Sequence, residues 1–299
     1  ALGETVTEKS GNLNLGVPGI MYLGGFAGFA SAWAYENTAA NPNGLVSILI
    51  AMICAIAASM LGGLIYSVLT ITLRANQNVT GLALTTFGTG FGNFFGGSIS
   101  KLAGGVGQIS VSTTASAYQA KIPGLSKIPV IGSVFFSYGF LTYVALLLAI
   151  LLSFFLFRTR NGLNLRAVGE NPGTADAAGI NVSKYKYLST CIGAGIAGLG
   201  GLYFVMEYSG GTWTDNGFGD RGWLAVALVI FALWKPLNAI WGAYLFGMLY
   251  WLYQFLPSIL GIKVASYITD LIQMVPYVVT IVVLIVVSFR KKKENQPPE

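Results

Sequence analysis

The stretch LVSILIAMICAIAASMLGGLIYSVLTITL, Leu45 to Leu73, contains no Asp, Glu, Lys, Arg or His. It exceeds the run of about 18 apolar residues that marks a helix crossing a bilayer. Strands of membrane β-barrels alternate apolar and polar residues over ~10 positions, and this run does not alternate. Seven further apolar segments follow the same reading: residues 16–34, 79–98, 133–157, 187–206, 222–234, 238–256 and 267–289. The expectation is an all-α polytopic membrane protein with about eight to nine transmembrane helices, built as a single domain over residues 1–299. Segment 222–234 is short for a span, which needs ~20 residues.

Composition agrees. Charged residues make up 9% of the chain, against about 25% in soluble domains. Hydrophobic residues reach 54% and mean hydropathy is +0.67. The chain has no histidine, which removes the commonest general base and metal ligand. Cys54 and Cys191 lie inside apolar segments and read as small hydrophobes. Neither a disulfide framework nor a metal-ligand spacing is present, so no metal site and no enzyme activity are expected. The chain opens ALGETVTEKSGNLNLG without a Met, which points to a processed or truncated start.

The net charge of +6 is distributed as an orientation signal, not as a nucleic-acid footprint. If the tail carrying Arg290, Lys291, Lys292 and Lys293 is cytoplasmic, the loops on its side hold Arg74, Arg158, Arg160, Arg166, Lys184, Lys186 and Lys235. The opposite loops hold Lys101, Lys121, Lys127, Arg221 and Lys263. Eleven basic residues stand against five, with Lys9 left out. A cytoplasmic C-terminus in a multi-pass cell-membrane protein follows.

Glycine is abundant: 39 residues, about twice the usual share of roughly 7%. Gly88, Gly92 and Gly96 recur every fourth residue, as do Gly24 and Gly28, and Gly193, Ala197 and Gly201. Small residues on one face let helices approach closely in lipid. Such glycine-lined helices pack a bundle, and they also suit helices that tilt. No ionisable residue falls mid-span; Glu207 and Asp270 sit near segment ends. Ion-driven carriers keep such groups at depth, so ion coupling has no evident seat and no buried carboxylate is expected. The phosphate loop G-x-x-x-x-G-K-[S/T] is absent as well.

One polar loop stands apart, residues 158–186, RTRNGLNLRAVGENPGTADAAGINVSKYK. Asn171 suits a helix N-cap, Pro172 the first helical position and Gly179 a stop. A helix of about seven residues is expected, too short to be stable alone in water.

This segment resembles the cytoplasmic coupling segment of ABC-importer permeases of the branched-chain amino acid, simple sugar and nucleoside class. AVGENPGTADAAGINVSKYK keeps that class's order of a glycine, then AA, GI and a basic residue. GETVTEKSGNLNLGVPGIMYLGG resembles the class's opening motif, and GWLAVALVIFALWKPLNAIWGAYLFG and MVPYVVTIVVLIVV resemble later regions of its nucleoside branch. The likeness covers nearly the whole chain in the right order. It implies a type II importer-like bundle with a broken helix near the N-terminus, and a first helix upstream of residue 1, since members carry one before the opening motif.

The resemblance implies function too. The chain would form half of a translocation path with a second permease, related or identical. An extracytoplasmic substrate-binding protein would dock above, and ATPase subunits below would hydrolyse ATP with Mg; this chain would bind no cofactor of its own. Arg166, Glu170, Asn171, Pro172, Ala175, Ala178, Gly179 and Lys184 would contact the ATPase. Asn12, Asn14, Thr85, Thr86, Phe87 and Asn93 would line the pathway. Tyr208, Trp213, Phe218 and Trp223, in or beside the outer loop 207–221, would meet the binding protein, or else form a membrane-interface belt. Nucleosides are the expected solute, with simple sugars, branched-chain amino acids or ATP-independent transport as alternatives.

Overall fold

Three of the apolar segments condense into one tightly interlocked group of helices. The computed structural model describes residues 1–102, 109–121, 136–260 and 274–290. Helices α1 (Leu2–Glu8), α2 (Val17–Thr38), α3 (Gly44–Ser67) and α4 (Gln77–Leu102) come first. A short α5 (Ser112–Tyr118) precedes α6 (Phe140–Arg158), α7 (Arg160–Glu170), α8 (Pro172–Ala177) and α9 (Val182–Tyr203). Then follow α10 (Arg221–Phe231), α11 (Pro236–Leu260) and α12 (Val275–Arg290). Helices α3 and α9 each run on into a π-helical turn, Val68–Thr72 and Phe204–Tyr208. No strand occurs among the described residues; one isolated bridge joins Ser110 and Thr212. Gly44–Thr72, Phe140–Arg158 and Val182–Tyr208 are long and apolar enough to cross a membrane.

Helices α2, α3 and α9 form the centre, and small residues set their spacing. A Cβ at Gly24 of α2 would lie 2.6 Å from the Gly198 Cα of α9, and one at Gly63 of α3 would lie 2.5 Å from the Ala194 Cβ. At Gly88, on α4, an added Cβ would meet the Gly19 Cα of α2 at 2.6 Å. The four-residue glycine spacing is therefore used for close helix packing.

Two elements differ from the sequence expectation. Segment 222–234 ends early, because Leu233 and Trp234 take left-handed backbone (φ 54° and 53°) and Pro236 opens a separate helix, α11. Residues 2–8, too short and polar to register as an apolar segment, form the buried helix α1. Glu4 and Glu8 on α1 are only 2% and 4% exposed, so the expectation of no buried carboxylate is corrected. Asp270 and residues 267–273 of the last segment lie outside the described residues, as do 103–108 and 122–132 of the loop read at 99–132.

Candidate functional site

The polar loop folds through local capping. Thr159 Oγ1 accepts from Gly162 N (3.1 Å) and starts α7. Leu165 and Val168 are buried on one face of α7 while Leu163 and Glu170 are exposed on the other. Asn171 ends α7 and also caps α8, its Oδ1 accepting from Thr174 N at 2.9 Å. Helix α8 closes with Ile180 N donating to Ala175 O (3.0 Å) and Gly179 at φ 79°, a left-handed position that glycine takes without steric cost. Asn181 Oδ1 then accepts from Lys184 N (2.9 Å) and starts α9.

Two tyrosines in the segment KYKY hold this cap-rich elbow together. Asn164 Nδ2 donates to Tyr185 Oη (3.0 Å), Tyr185 Oη lies 3.3 Å from Asn161 Oδ1, and the Tyr187 hydroxyl bonds that of Thr72. Of the residues assigned to ATPase contact, Glu170, Asn171, Ala178, Gly179 and Lys184 are exposed. Pro172 is half-buried. Ala175 is 3% exposed and faces the protein, so it presents no surface to a partner. Arg166 is partly buried, its guanidinium 5.1 Å from the Phe157 ring centroid. Beside α8, Asp176, Gly179, Ile180, Asn181 and Ser183 frame a hollow.

Next to this elbow, residues 9–16 connect α1 to α2 as irregular backbone. Buried backbone must find partners, and away from water they must be protein groups. Side chains supply them. Glu4 Oε1 accepts from Asn14 N (3.0 Å), and Asn14 Oδ1 accepts from Gly16 N (2.8 Å). Gln77 Oε1 accepts from Leu13 N (2.7 Å). Thr85 Oγ1 donates to Leu15 O (2.8 Å), and Tyr66 Oη donates to Leu13 O. Asn12 Nδ2 donates to Thr190 Oγ1 of α9 at 3.0 Å. Lys9 sits half-buried here.

The polar residues assigned to the pathway are thus mostly committed to the protein itself. Asn12 and Asn14 are buried. Asn93 exchanges amide bonds with Asn216, Nδ2 to Oδ1 at 2.7 Å and Oδ1 from the backbone N at 3.0 Å. Thr86 and Phe87 remain on the exposed side of α4. None of these six residues lines the apolar cavity of about 470 Å³ walled by Val17, Met21, Leu141, Ala145, Leu199 and Tyr244.

At the opposite end, the aromatic assignments need correction. Trp213 and Phe218 are 6% and 2% exposed. They fold under the loop into a cluster with Tyr22, whose ring lies 6.3 Å and 4.4 Å from theirs. Side chains spent on that core offer no contact area. Tyr208 is exposed, yet its ring lies 4.9 Å from the Arg221 guanidinium, which donates to its hydroxyl at 3.2 Å. Sequence reading had no signal for the loop's inward turn, because no periodicity exists there. For Glu4 and Glu8 a signal did exist: four-residue spacing places both on one face of any helix.

These features define a helical membrane protein with a capped polar elbow outside its apolar core. Over residues 1–284 the chain matches the family described as branched-chain amino acid transport system / permease component, and it belongs to that family. It is similar to the nucleoside ABC transporter permease protein NupC of Lactococcus lactis subsp. cremoris, 32% identical over 95% of this chain and 86% of the relative. It is similar to the guanosine ABC transporter permease protein NupQ of Bacillus subtilis, 36% identical over 83% and 75%. TsgC13 of Haloferax volcanii, provisionally named a glucose ABC transporter permease protein, is 36% identical over 83% and 70%. No solved structure gives a significant match.

Proposed function

We propose that this chain is a permease subunit of an ATP-binding-cassette importer and forms half of a translocation path for nucleosides. The carrying observation is the likeness to NupC and NupQ, two permeases named for nucleoside and guanosine, at 32% and 36% identity. The exposed residues of α8 seat in a partner ATPase, which hydrolyses ATP with Mg. The elbow and the C-terminus lie in the cytoplasm, a reading supported by the eleven-to-five charge count. A second permease completes the path, a binding protein delivers solute from outside, and this chain does no chemistry of its own.

The eight to nine spans include a broken one, α1 to α2, whose irregular backbone stays at depth because side chains satisfy it. Thr86 and Phe87 are the pathway candidates that meet solute, by their exposure on α4. Nucleotide binding to the ATPase pair biases the bundle between two states.

The glucose name of TsgC13 keeps sugars as the second reading. Vesicles holding the assembled complex, with ATP on the ATPase side, decide between them. Uridine uptake that unlabelled nucleosides inhibit, and that ribose and leucine do not, is the expected result. Uptake indifferent to every nucleoside defeats the substrate assignment, and uptake by this chain without ATPase subunits defeats the class.

A further inference from the structure

We infer that α1 and the turn after it transmit movement of the α7–α8 elbow to the α10–α11 turn, with Glu8 and Trp234 as the positioning pair. This rests on the reading of α8 as the coupling helix. A chain of close contacts joins the two ends. Asn171 is at once the last cap of α7 and the first cap of α8, so no linker absorbs a push on α8. Leu165 of α7 forms a buried cluster with Val6 of α1 and Leu156 of α6. At the far end of α7, Gly169 lies directly on the turn after α1. A Cβ there would stand 3.0 Å from the Lys9 carbonyl carbon and 3.1 Å from Gly11 N. Helix α7 therefore meets α1 through the Val6 cluster and the turn after α1 through Gly169, and coupling between distant sites travels through contiguous packing of this kind.

The output end is polar and specific. Glu8 Oε2 accepts from the Trp234 indole Nε1, and both residues are 4% exposed. The Glu8 carboxyl also shares a hydrogen bond with the buried Glu4 side chain one turn earlier. The indole and Glu4 together hold the Glu8 carboxylate, and of the two only the indole belongs to the α10–α11 turn. Trp234 and Leu233 hold left-handed backbone, φ 53° and 54°. Non-glycine residues persist there only when their surroundings impose it. The turn they form sets where α10 ends and α11 begins. A shift of α1 acts on that turn through one buried bond.

A buried polar link of this type also stabilises a fold, and the experiment separates the two roles. Removing one partner strands the other, whereas replacing both by apolar groups is close to neutral for stability. The variants are Trp234→Phe, Glu8→Gln and the double Glu8→Leu/Trp234→Phe. Each is placed in the complete complex in vesicles, and solute imported per ATP hydrolysed is read. Expected for the double variant are wild-type assembly and melting with at least a tenfold fall in imported solute per ATP. Trp234→Phe alone falls likewise, and Glu8→Gln, which keeps an acceptor for the indole, holds the wild-type ratio. A wild-type ratio in the double variant or in Trp234→Phe overturns the linkage, as does a lost ratio in Glu8→Gln. Failure of the double variant to assemble makes the bond structural and also overturns the linkage. Wild-type complex showing no nucleotide-dependent uptake in the same vesicles overturns the coupling reading beneath it, an outcome distinct from all of these.

Discussion

Ala175 in α8 and Ala178, the residue that caps its C-terminus, are three residues apart and chemically identical, but differ in burial. Ala178 is exposed, while Ala175 is 3% exposed and its carbonyl closes the helix with Ile180 N. The same substitution at the two sites should therefore fail differently. Ala178→Arg is expected to leave the melting temperature of the purified chain unchanged and to separate ATP hydrolysis from uptake in the complex. Ala175→Arg drives a long cationic side chain into filled space. Overpacking alone costs about 1–3 kcal/mol, so a lowered melting temperature is expected before any assay of transport. Equal melting of the two variants, measured by differential scanning fluorimetry in detergent, would contradict the assigned inward face. The sequence carries the caps of α8, because Asn171 and Gly179 act on neighbours three or four positions away. It does not carry which alanine points inward, because that depends on how α7 and α9 are held together through Tyr185.

At the scale of elements, helices near the loop-rich end begin on carboxylates borrowed from elsewhere. Glu36 of α2 accepts from Thr114 N (2.7 Å) at the start of α5. Glu207 Oε1 accepts from Leu141 N (2.6 Å) at the start of α6, and Gln119 Nε2 donates to the Glu207 carbonyl (2.9 Å). A carboxylate at a helix N-terminus satisfies open amides and meets the positive end of the dipole. A hydrogen bond of this kind contributes about 0.5–1.5 kcal/mol net. Glu207→Ala should thus lower melting measurably, while Glu207→Gln keeps most of the stability because an acceptor remains. Equal melting of Glu207→Ala and wild type would remove Glu207 as the cap of α6. Such caps are invisible in sequence: the partners lie 66 residues apart for Leu141 and Glu207, and 78 for Thr114 and Glu36. Helix α1 is hard to read from sequence for a related reason. Seven residues with two carboxylates make no apolar run, and their burial depends on α9 and on Trp234, 226 positions away from Glu8.

For the whole molecule, the glycine pattern separates positions that set helix spacing from positions that do not. In lipid, helices gain no hydrophobic drive to associate, and close van der Waals packing carries more of the load. Gly88 and Gly90 are neighbours on α4 with opposite surroundings. A Cβ at Gly88 would meet the Gly19 carbonyl carbon and Cα at 2.5 Å and 2.6 Å, backbone atoms that cannot rotate away. A Cβ at Gly90 meets nothing within 4 Å. Replacing glycine by alanine within a helix favours the helix by about 0.8–1.0 kcal/mol where space allows. Gly90→Ala is therefore expected to hold or raise the melting temperature of the purified chain. Gly88→Ala is expected to lower it, since α4 must move off α2 and strain the Thr85 bond to Leu15. Because that bond also satisfies the irregular backbone between α1 and α2, the damage should reach the elbow-side contacts of α1. Hydrogen exchange at residues 9–16 should rise in Gly88→Ala and not in Gly90→Ala. Unchanged protection there in Gly88→Ala would mean that α4 packing and the α1–α2 connection are independent, against the contacts that join them.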